Sequence, residues 1–408
     1  MSESTQASLG ELAKQGIILL GDGYRTKRSE LGGVTGVPIL RVAEVFDGRI
    51  DATFADHIRE EYRPAFSKKI SRPGDILVTT KGSVGRVARI RKSDPEFVYS
   101  PQLCFFRVLK QSVIDPGWLY QWFRSTQFRL QAAAVQHQTD MAPYINLADL
   151  RAMQVEIPPI QQQRAIAETL EAFDDKIINN DRVIRLADQL SSAHFSEALT
   201  RGSHEVYTVR DVADVFDGPH ATPQKTSAGP WFLSISSLRN GRLDLSKSKH
   251  LSEEEFTKWT RRVTPTPGDV LFSYETRLGE SALMPEGIRA CLGRRMGLLR
   301  AKKNVIDPIV LLQAYSAPEF QDLIQRRKIS GATVERIPLK DLPDWPIKVP
   351  TREGSEMLTD ILRTLNNRAS AAEHESQNLA ELRDVLASML MSNQIKVRES
   401  ELLLEGAI

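Results

Sequence analysis

Two similar stretches of this chain place hydrogen-bonding side chains directly after an apolar run. The first, RPGDILVTTKGSVGRVA, spans residues 72–88, and the second, TPGDVLFSYETRLGESA, spans residues 266–282. Such side chains, projected from loops, could bond to the edges of DNA bases while nearby cations contact phosphates. The candidates for base contacts are Thr79, Thr80, Lys81, Ser83 and Arg86 in the first stretch and Tyr274, Glu275, Thr276 and Arg277 in the second. The alternative is a hairpin that only packs.

Further candidates surround these stretches. The segment GYRTKR is basic and carries an aromatic residue, and it has a polar counterpart later in the chain. These two sets are Tyr24, Arg25, Thr26, Lys27 and Arg28 in one copy and His220, Thr222, Gln224 and Lys225 in the other. Arg294 and Arg295, in LGRRMG, are candidates for phosphate contacts. An ordinary solvated surface is the alternative for all of them.

The elements that must position these residues occur twice. The two PGD motifs are 194 residues apart, and residues 37–51 match 230–244 at a shift of 193. Residues 114–128 match 306–320, and 145–159 match 337–351, both at a shift of 192. Chance would not keep this order and register, so the chain is a duplication of about 190 residues.

Each copy predicts an α/β (α+β) fold. Runs such as DILVTT, VGRVARI and CFFRV are typical of strands, and PGD is a turn signal. The segment that begins with IDP predicts a helix with Trp118, Leu119, Trp122 and Phe123 on one face. A final strand, in MQVEIPP or DWPIKVPT, ends near proline.

After that proline each copy predicts one long helix. Residues 160–200 contain no Gly or Pro, and apolar residues recur there and after residue 351 in imperfect heptads. We expect the two helices to form an antiparallel coiled coil that holds two similar domains with pseudo-twofold symmetry. Asn180, on the apolar seam, is interpreted as a device that sets register. The alternative is that each helix packs only on its own domain.

Charge is distributed unevenly along the chain. The 408 residues have a net charge of +2, but residues 159–200 carry −3 and residues 351–408 carry −4, so the rest carries +9. A basic globular region suits a polyanion because neutralised phosphates release counterions. Ordinary charge scatter is the alternative.

Other functional classes lack their signatures. The sequence has no GxxxxGK[ST] motif for ATP and no FxGxG-like motif for S-adenosylmethionine. TDMAPY (139–144) only partly matches the DPPY-type loop of amino-methyltransferases and is interpreted as structural, and the seven histidines show no metal-ligand spacing. There is no apolar run of eighteen residues and no signal peptide, and there are two cysteines, so we expect a cytoplasmic protein that contacts no membrane.

Taken together, these segments resemble the specificity (S) subunit of type I restriction–modification enzymes over essentially the whole chain. The resemblance rests on IPPIQQQRAIAETLEAFDDKIINND (157–181), which is similar to the family's first conserved helical region, and on PYINLADL (143–150). In the second copy, residues 217–244 and 273–300 resemble target-recognition domains. The second helix departs from the pattern, because Asn366 and Asn367 stand where the first has Asp174 and Asp175.

The resemblance implies two target-recognition domains, 1–158 and 203–350, each reading one half of a bipartite asymmetric sequence in double-stranded DNA. The helical regions, 159–202 and 351–395, would set the spacer and dock two methyltransferase (M) subunits, before a C-terminal tail at 396–408. The implied docking residues are Gln162, Gln163, Asp174, Asp175, Asn366 and Asn367.

The same resemblance implies a non-catalytic chain without a cofactor or metal of its own. S-adenosylmethionine, ATP and Mg would belong to the methyltransferase and restriction (R) subunits. Two other functions remain open from the residues alone. One is a structural scaffold that joins proteins through its coiled coil, and the other is a fused methyltransferase or nuclease.

Overall fold

The computed structural model divides the chain into two compact units. The first comprises Met1–Asn179 with Glu375–Ile408, and the second comprises Asn180–His374. The structure describes residues 4–32, 35–137, 143–219, 221–239, 241–330, 334–392 and 394–395. The predicted tail at 396–408 and the candidate His220 lie outside these residues.

The first half of the chain forms a mixed α/β domain followed by a long helix, α6. In chain order its elements are β1 (Thr5–Ser8), α1 (Leu9–Lys14), β2 (Ile18–Asp22), β3 (Val37–Leu40), β4 (Val45–Phe46), β5 (Arg49–Ile50), β6 (His57–Ile58), α2 (Arg63–Phe66), β7 (Ile76–Thr79), β8 (Val87–Arg89), β9 (Val98–Tyr99), β10 (Leu103–Val108), α3 (Pro116–Arg124), α4 (Thr126–Val135), α5 (Leu147–Ala152), β11 (Gln154–Ile157) and α6 (Ile160–Arg201).

The second half of the chain repeats this order, except that β22 and β23 are additional and a 3-10 turn at Leu342–Asp344 stands in place of α5. Its elements are β12 (His204–Thr208), α7 (Val209–Val212), β13 (Ala213–Asp217), β14 (Thr226–Phe232), β15 (Leu238–Arg239), β16 (Arg242–Leu243), β17 (Lys249–His250), α8 (Glu253–Trp259), β18 (Val270–Ser273), β19 (Ser281–Leu283), β20 (Ala290–Cys291), β21 (Met296–Ala301), α9 (Pro308–Ser316), α10 (Pro318–Arg327), β22 (Ile329–Ser330), β23 (Glu335–Arg336), β24 (Pro346–Pro350) and α11 (Arg352–Met391).

The sheets confirm the duplication. The first unit has a four-stranded sheet in the order β2-β10-β7-β8, and the second has β13-β21-β18-β19 in the same order. Three smaller sheets also correspond: β6-β3-β9 with β17-β14-β20, β1-β11 with β12-β24, and β4-β5 with β15-β16. The predicted strands and the IDP helix are confirmed, and the helix buries Trp118, Leu119, Trp122 and Phe123.

The PGD motif is repeated because its aspartate ties two strands together. Asp75 is fully buried, accepts from the backbone amide of Arg72 at 2.8 Å, and is held by Arg107 of β10 through two bonds of 2.6 Å. In the second unit Arg300 of β21 bonds Asp269 in the same way, at 2.8 and 2.7 Å. A buried carboxylate needs such a partner. The PGD motif, which is the best-matched segment of the two repeats, therefore has a structural role.

Each unit contains half of each long helix. In the first unit, Leu170 and Phe173 of α6 share a hydrophobic core with Leu386 and Leu390 of α11. In the second unit the later part of α6 meets the earlier part of α11, where Leu199 and other α6 residues join the core that contains Leu358 and Leu362. The N-terminal half of α6 thus packs on the C-terminal half of α11, and the C-terminal half of α6 packs on the N-terminal half of α11. This order confirms the antiparallel pairing. The helices also pack on the domains, so the two predicted arrangements coexist.

Within the described parts of the chain, no helix combines the length and the apolar character that crossing a bilayer requires.

Candidate nucleic-acid interface

Three segments of the first unit meet at one end of the four-stranded sheet. Strand β10 runs antiparallel to both β2 and β7, with Cys104 opposite Asp22 and Leu103 opposite Thr79. The chain therefore leaves β2 and β7 at the edge where it enters β10. The segment 23–28, the loop 80–86 and the turn 100–102 share this edge. The structure thus brings together the two groups of candidates that the sequence places about 50 residues apart.

Backbone bonds fix the loop that follows β7. The amide of Thr80 donates to the carbonyl of Gln102 at 2.9 Å, and the amide of Ile145 donates to the carbonyl of Thr80 at 2.9 Å. The amide of Gly82 donates to Pro143 at 3.0 Å. The loop is consequently held on two sides, by the turn before β10 and by the segment before α5.

The second unit has the same frame. Strand β21 pairs with β13 and β18 with Gly297 opposite Asp217 and Met296 opposite Ser273. The amide of Tyr274 donates to Arg295 at 3.1 Å, and its carbonyl accepts from Ile337 at 2.8 Å. These are the bonds of Thr80 in the first unit, with Tyr274 in place of Thr80 and Arg295 in place of Gln102, while the donor to the carbonyl is isoleucine in both units. The backbone is therefore shared while the side chains differ.

The first loop exposes some of its candidates and buries one. Lys81 and Ser83 are exposed, whereas Thr79 is fully buried and its hydroxyl oxygen accepts from the amide of Arg86 at 2.9 Å. Thr80 donates from its hydroxyl to the carbonyl of Gln102 at 3.0 Å. The guanidinium of Arg86 lies 5.6 Å from the ring centroid of Phe46. Thr79 therefore shapes the loop, and Lys81 and Ser83 face outward.

In the loop that follows β18 of the second unit, most candidate side chains are buried or bonded within the protein. Tyr274 is only 3 % exposed, and its hydroxyl has no hydrogen-bond partner among the described residues. Burial raises the pKa of this phenol, so it stays protonated. Arg277 donates to Glu280 at 2.9 Å and to the carbonyl of Ile235 at 3.1 Å. Thr276 is exposed.

Arg295 links the turn before β21 to this loop. Its Nε lies 3.0 Å from Oε2 of Glu275, and its Nη1 donates to the hydroxyl of Thr276 at 3.4 Å. Arg294, beside it, is exposed. Arg295 thus links the turn to the loop, and the assignment of Arg294 to a phosphate stays a prediction.

The segment after β2 presents a cationic surface. The amide of Tyr24 donates to the carbonyl of Tyr99 at 2.6 Å, and its hydroxyl donates to Glu30 at 3.2 Å. The cations that follow are exposed, and no ion pair of theirs occurs within the described residues; they are Arg25, Lys27 and Arg28. Thr26 is half-buried, and its hydroxyl has no partner in the described part of the chain. This segment offers positive charge at the shared edge.

The counterpart in the second unit is less basic. Thr222, Gln224 and Lys225 are exposed, and the ammonium of Lys225 lies 5.9 Å from the ring centroid of Phe232. His220 lies outside the described residues. The assignment of these side chains to DNA stays a prediction.

Two exposed residues at the same edge were not predicted from the sequence. Gln102 is the counterpart of Arg295, and Arg336 pairs with Glu275 in a β-bridge as Tyr144 pairs with Lys81. The duplication contained the signal for Gln102, because shifting the candidate Arg295 back by 193 residues leads to this position.

Comparisons with known proteins agree with this architecture. The family described as "Type I restriction modification DNA specificity domain" matches residues 1–185. The putative type I restriction enzyme MjaX specificity subunit of Methanocaldococcus jannaschii is 20 % identical over 400 residues, covering 89 % of this chain and 88 % of that protein. The first 185 residues therefore match the model of the specificity-domain family, and the chain is similar to type I specificity subunits over most of its length.

Two further relatives extend the comparison. The type I restriction enzyme EcoBI specificity subunit of Escherichia coli is 28 % identical over 175 residues, or 40 % of this chain and 36 % of that protein. The crystal structure of a type I restriction–modification S subunit from M. genitalium has a TM-score of 0.57 and 14 % identity, and the match covers 95 % of this chain and 96 % of that one. The last match shows that the fold is shared.

The helix residues suggested for docking divide into internal and external ones. Gln163 is fully buried: its Oε1 accepts from Asp115 at 2.8 Å, and its Nε2 donates to the carbonyls of Val113 and Pro158 at 3.0 and 2.8 Å. It fastens α6 to the domain, so we propose no docking role for it. Gln162 lines a cavity of about 580 Å³ in the first unit.

Asp174 is internal as well. It is 12 % exposed and bonds Arg124 at 2.9 Å and Arg383 at 2.7 Å. Asp175 is 72 % exposed and 3.5 Å from Arg91. In the second unit Asn366 lines a polar cavity of about 340 Å³ and Asn367 is exposed. Asp175 and Asn367 are the outward-facing members of the suggested docking set.

Proposed function

We propose that this chain is the DNA-recognition subunit of a type I restriction–modification complex, with each unit reading one half of a bipartite, asymmetric target. The observation that carries the proposal is the pair of equivalent loops. They share backbone bonds, as in Thr80 to Gln102 and Tyr274 to Arg295, but they present different side chains. The shared backbone geometry of the two loops suits two half-sites of similar shape, and their different side chains suit different bases.

The charge of the first unit's edge supports this function. Arg25, Lys27, Arg28 and Lys81 are exposed around the loop, where they can neutralise phosphates while neighbouring polar groups face the bases. Phosphate contacts fix register, and base contacts supply specificity. The names of the relatives, which are specificity subunits, point the same way.

The long helices would serve assembly. The antiparallel helices contribute a half of each to both units, so they can set the distance between half-sites and carry two methyltransferase subunits. Exposed positions such as Asp175 and Asn367 are the proposed contacts. Restriction subunits would join the same complex. We further propose that S-adenosylmethionine, ATP and Mg act on those partner subunits and that this chain is not itself an enzyme.

Methylation mapping tests the function. The chain is expressed with its neighbouring methyltransferase in a host free of DNA methylation, and modified adenines are mapped. The expected result is a bipartite motif with a fixed gap that disappears when this chain is omitted. Methylation that persists without the chain would contradict the recognition role. Turnover of S-adenosylmethionine by the purified chain alone would favour a fused enzyme instead.

A further inference from the structure

Lys81 and Glu275 occupy the same position in the two repeats. Each lies two residues after the buried hydroxyl that ends its strand, Thr79 or Ser273. Each also forms an isolated β-bridge with an equivalent partner segment, Lys81 with Tyr144 and Glu275 with Arg336. The two side chains therefore leave the same point of the same frame.

Their hydrogen-bonding capacities are opposite. An ammonium group only donates, and an ionised carboxylate only accepts. In the major groove, guanine offers two acceptors, O6 and N7, whereas cytosine offers the N4 amino donor. Lysine is a recognised partner of guanine, and glutamate of cytosine. The same position thus carries a hydrogen-bond donor, Lys81, in the first unit and an acceptor, Glu275, in the second.

The backbone beside Glu275 and at its partner Arg295 is in an unfavourable conformation. Thr276 and Arg295 have φ values of 69° and 74°, in the left-handed region that disfavours residues with a Cβ. Among the described residues only one other non-glycine residue, Asn304, has a positive φ. The equivalent of Thr276 in the first unit is Gly82, with a φ of 79°. Backbone strain of this kind concentrates at functional sites.

The salt bridge between Glu275 and Arg295 makes a carboxylate compatible with a surface that is proposed to bind DNA. Phosphates repel an isolated carboxylate, but Arg295 lies 3.0 Å from Oε2 of Glu275 and offsets its charge. Oε2 faces Arg295, so Oε1 is the oxygen proposed to accept from a base. Glu275 is 24 % exposed as a side chain, so it remains accessible to a base.

We infer that position 81 in the first unit and position 275 in the second each determine one base of the corresponding half-site. Lys81 donates to guanine, and Glu275 accepts from the amino group of cytosine. This inference rests on the proposed function, since it names the bases that two residues of the same edge would read.

Substitutions by glutamine test the inference. Glu275→Gln and Lys81→Gln each install a side chain that both donates and accepts, the combination suited to adenine. The full chain is expressed with its methyltransferase partner, and modified adenines are mapped as before. We expect Glu275→Gln to change one base in one half-site and Lys81→Gln to change one base in the other. Methylation of wild-type sites should fall by about 5- to 100-fold in each variant.

The control is a carboxylate with an equally good ion pair elsewhere in the second unit. Glu253 of α8 is bonded by Arg289 through two contacts of 2.9 Å. Glu253→Gln should leave the motif and its methylation level unchanged. This control separates the loss of a surface salt bridge from the loss of a base contact.

Each outcome has a distinct meaning. If the wild type yields no bipartite motif, the proposed function fails. If the wild type yields one and both glutamine variants keep every base of it at wild-type levels, only the present inference is overturned. Loss of all methylation without a changed motif, in variants with the wild-type melting temperature, also counts against it, because a specificity residue must redirect recognition.

Discussion

The carboxylate of Asp174 joins three helices of the first unit, and its removal should be costly. It bonds Arg124 of α3 at 2.9 Å and Arg383 of α11 at 2.7 Å, and the three side chains are 12 %, 15 % and 13 % exposed. Asp174→Asn leaves two guanidinium groups largely buried beside a neutral amide. Breaking a buried pair costs about 3–5 kcal/mol, and we expect the lower end because Arg383 keeps Asp384 at 2.7 Å.

A neighbouring aspartate provides the matched control. Asp175 is 72 % exposed and 3.5 Å from Arg91, so Asp175→Asn should cost less than about 1 kcal/mol. Both variants are unfolded in urea and followed by tryptophan fluorescence, to which Trp118 and Trp122 in the first core contribute. Urea is preferred because it is uncharged and does not screen the ion pairs.

A double-mutant cycle separates the pair from its surroundings. Arg383→Met removes the charge and retains much of the apolar length of the side chain. In combination with Asp174→Asn, it should cost about 1–3 kcal/mol less than the sum of the single changes, since the two groups are in contact. Additive effects, or a loss for Asp174→Asn no larger than that for Asp175→Asn, would refute the claim that this carboxylate clamps the helices.

Three further outcomes follow from the structure. Asp75→Asn should destabilise the first unit by about 3 kcal/mol, because Arg107 is only 12 % exposed and loses its charged partner; an unchanged urea midpoint would contradict this. Thr276→Gly should stabilise the second unit by about 1 kcal/mol by relieving a left-handed φ of 69°, and a lower melting temperature would be the opposite result. Burial raises the thiol pKa of Cys104 and of Cys291, the latter to about 12, so at pH 8 both stay protonated. A thiol reagent should label them only after denaturation, and rapid labelling of the native protein would contradict their burial.

The fold could be predicted from the sequence largely because it is repeated. A single strand such as ILVT is ambiguous, but the same pattern at a constant shift of about 192–194 residues fixes both copies at once. The helices were predictable because 160–200 lacks Gly and Pro and carries apolar heptads. The division of each helix between two compact units was not predictable, because it depends on contacts between distant segments.

The candidate site was harder to predict at the level of single residues. Residue type does not reveal burial: Thr79 at the end of β7, Tyr274 after β18 and Gln163 in α6 are polar residues that the structure buries. Conversely, Gln102 has no chemical signature of its own. Its position 193 residues before Arg295 was the signal in the sequence, and the antiparallel pairing of β10 with β7 brings it to the edge. The strands and long helices follow from the pattern of apolar residues in the sequence. The exposure of individual candidate residues depends on the folded structure.

An exchange of one domain shows whether each repeat reads its own half of the target. Residues 1–158 are replaced by the matching segment of a family member that recognises another sequence, and modified adenines are mapped in the presence of the methyltransferase. One half of the motif should change, while the other half and the gap are retained. A change in both halves, or in neither, would contradict it.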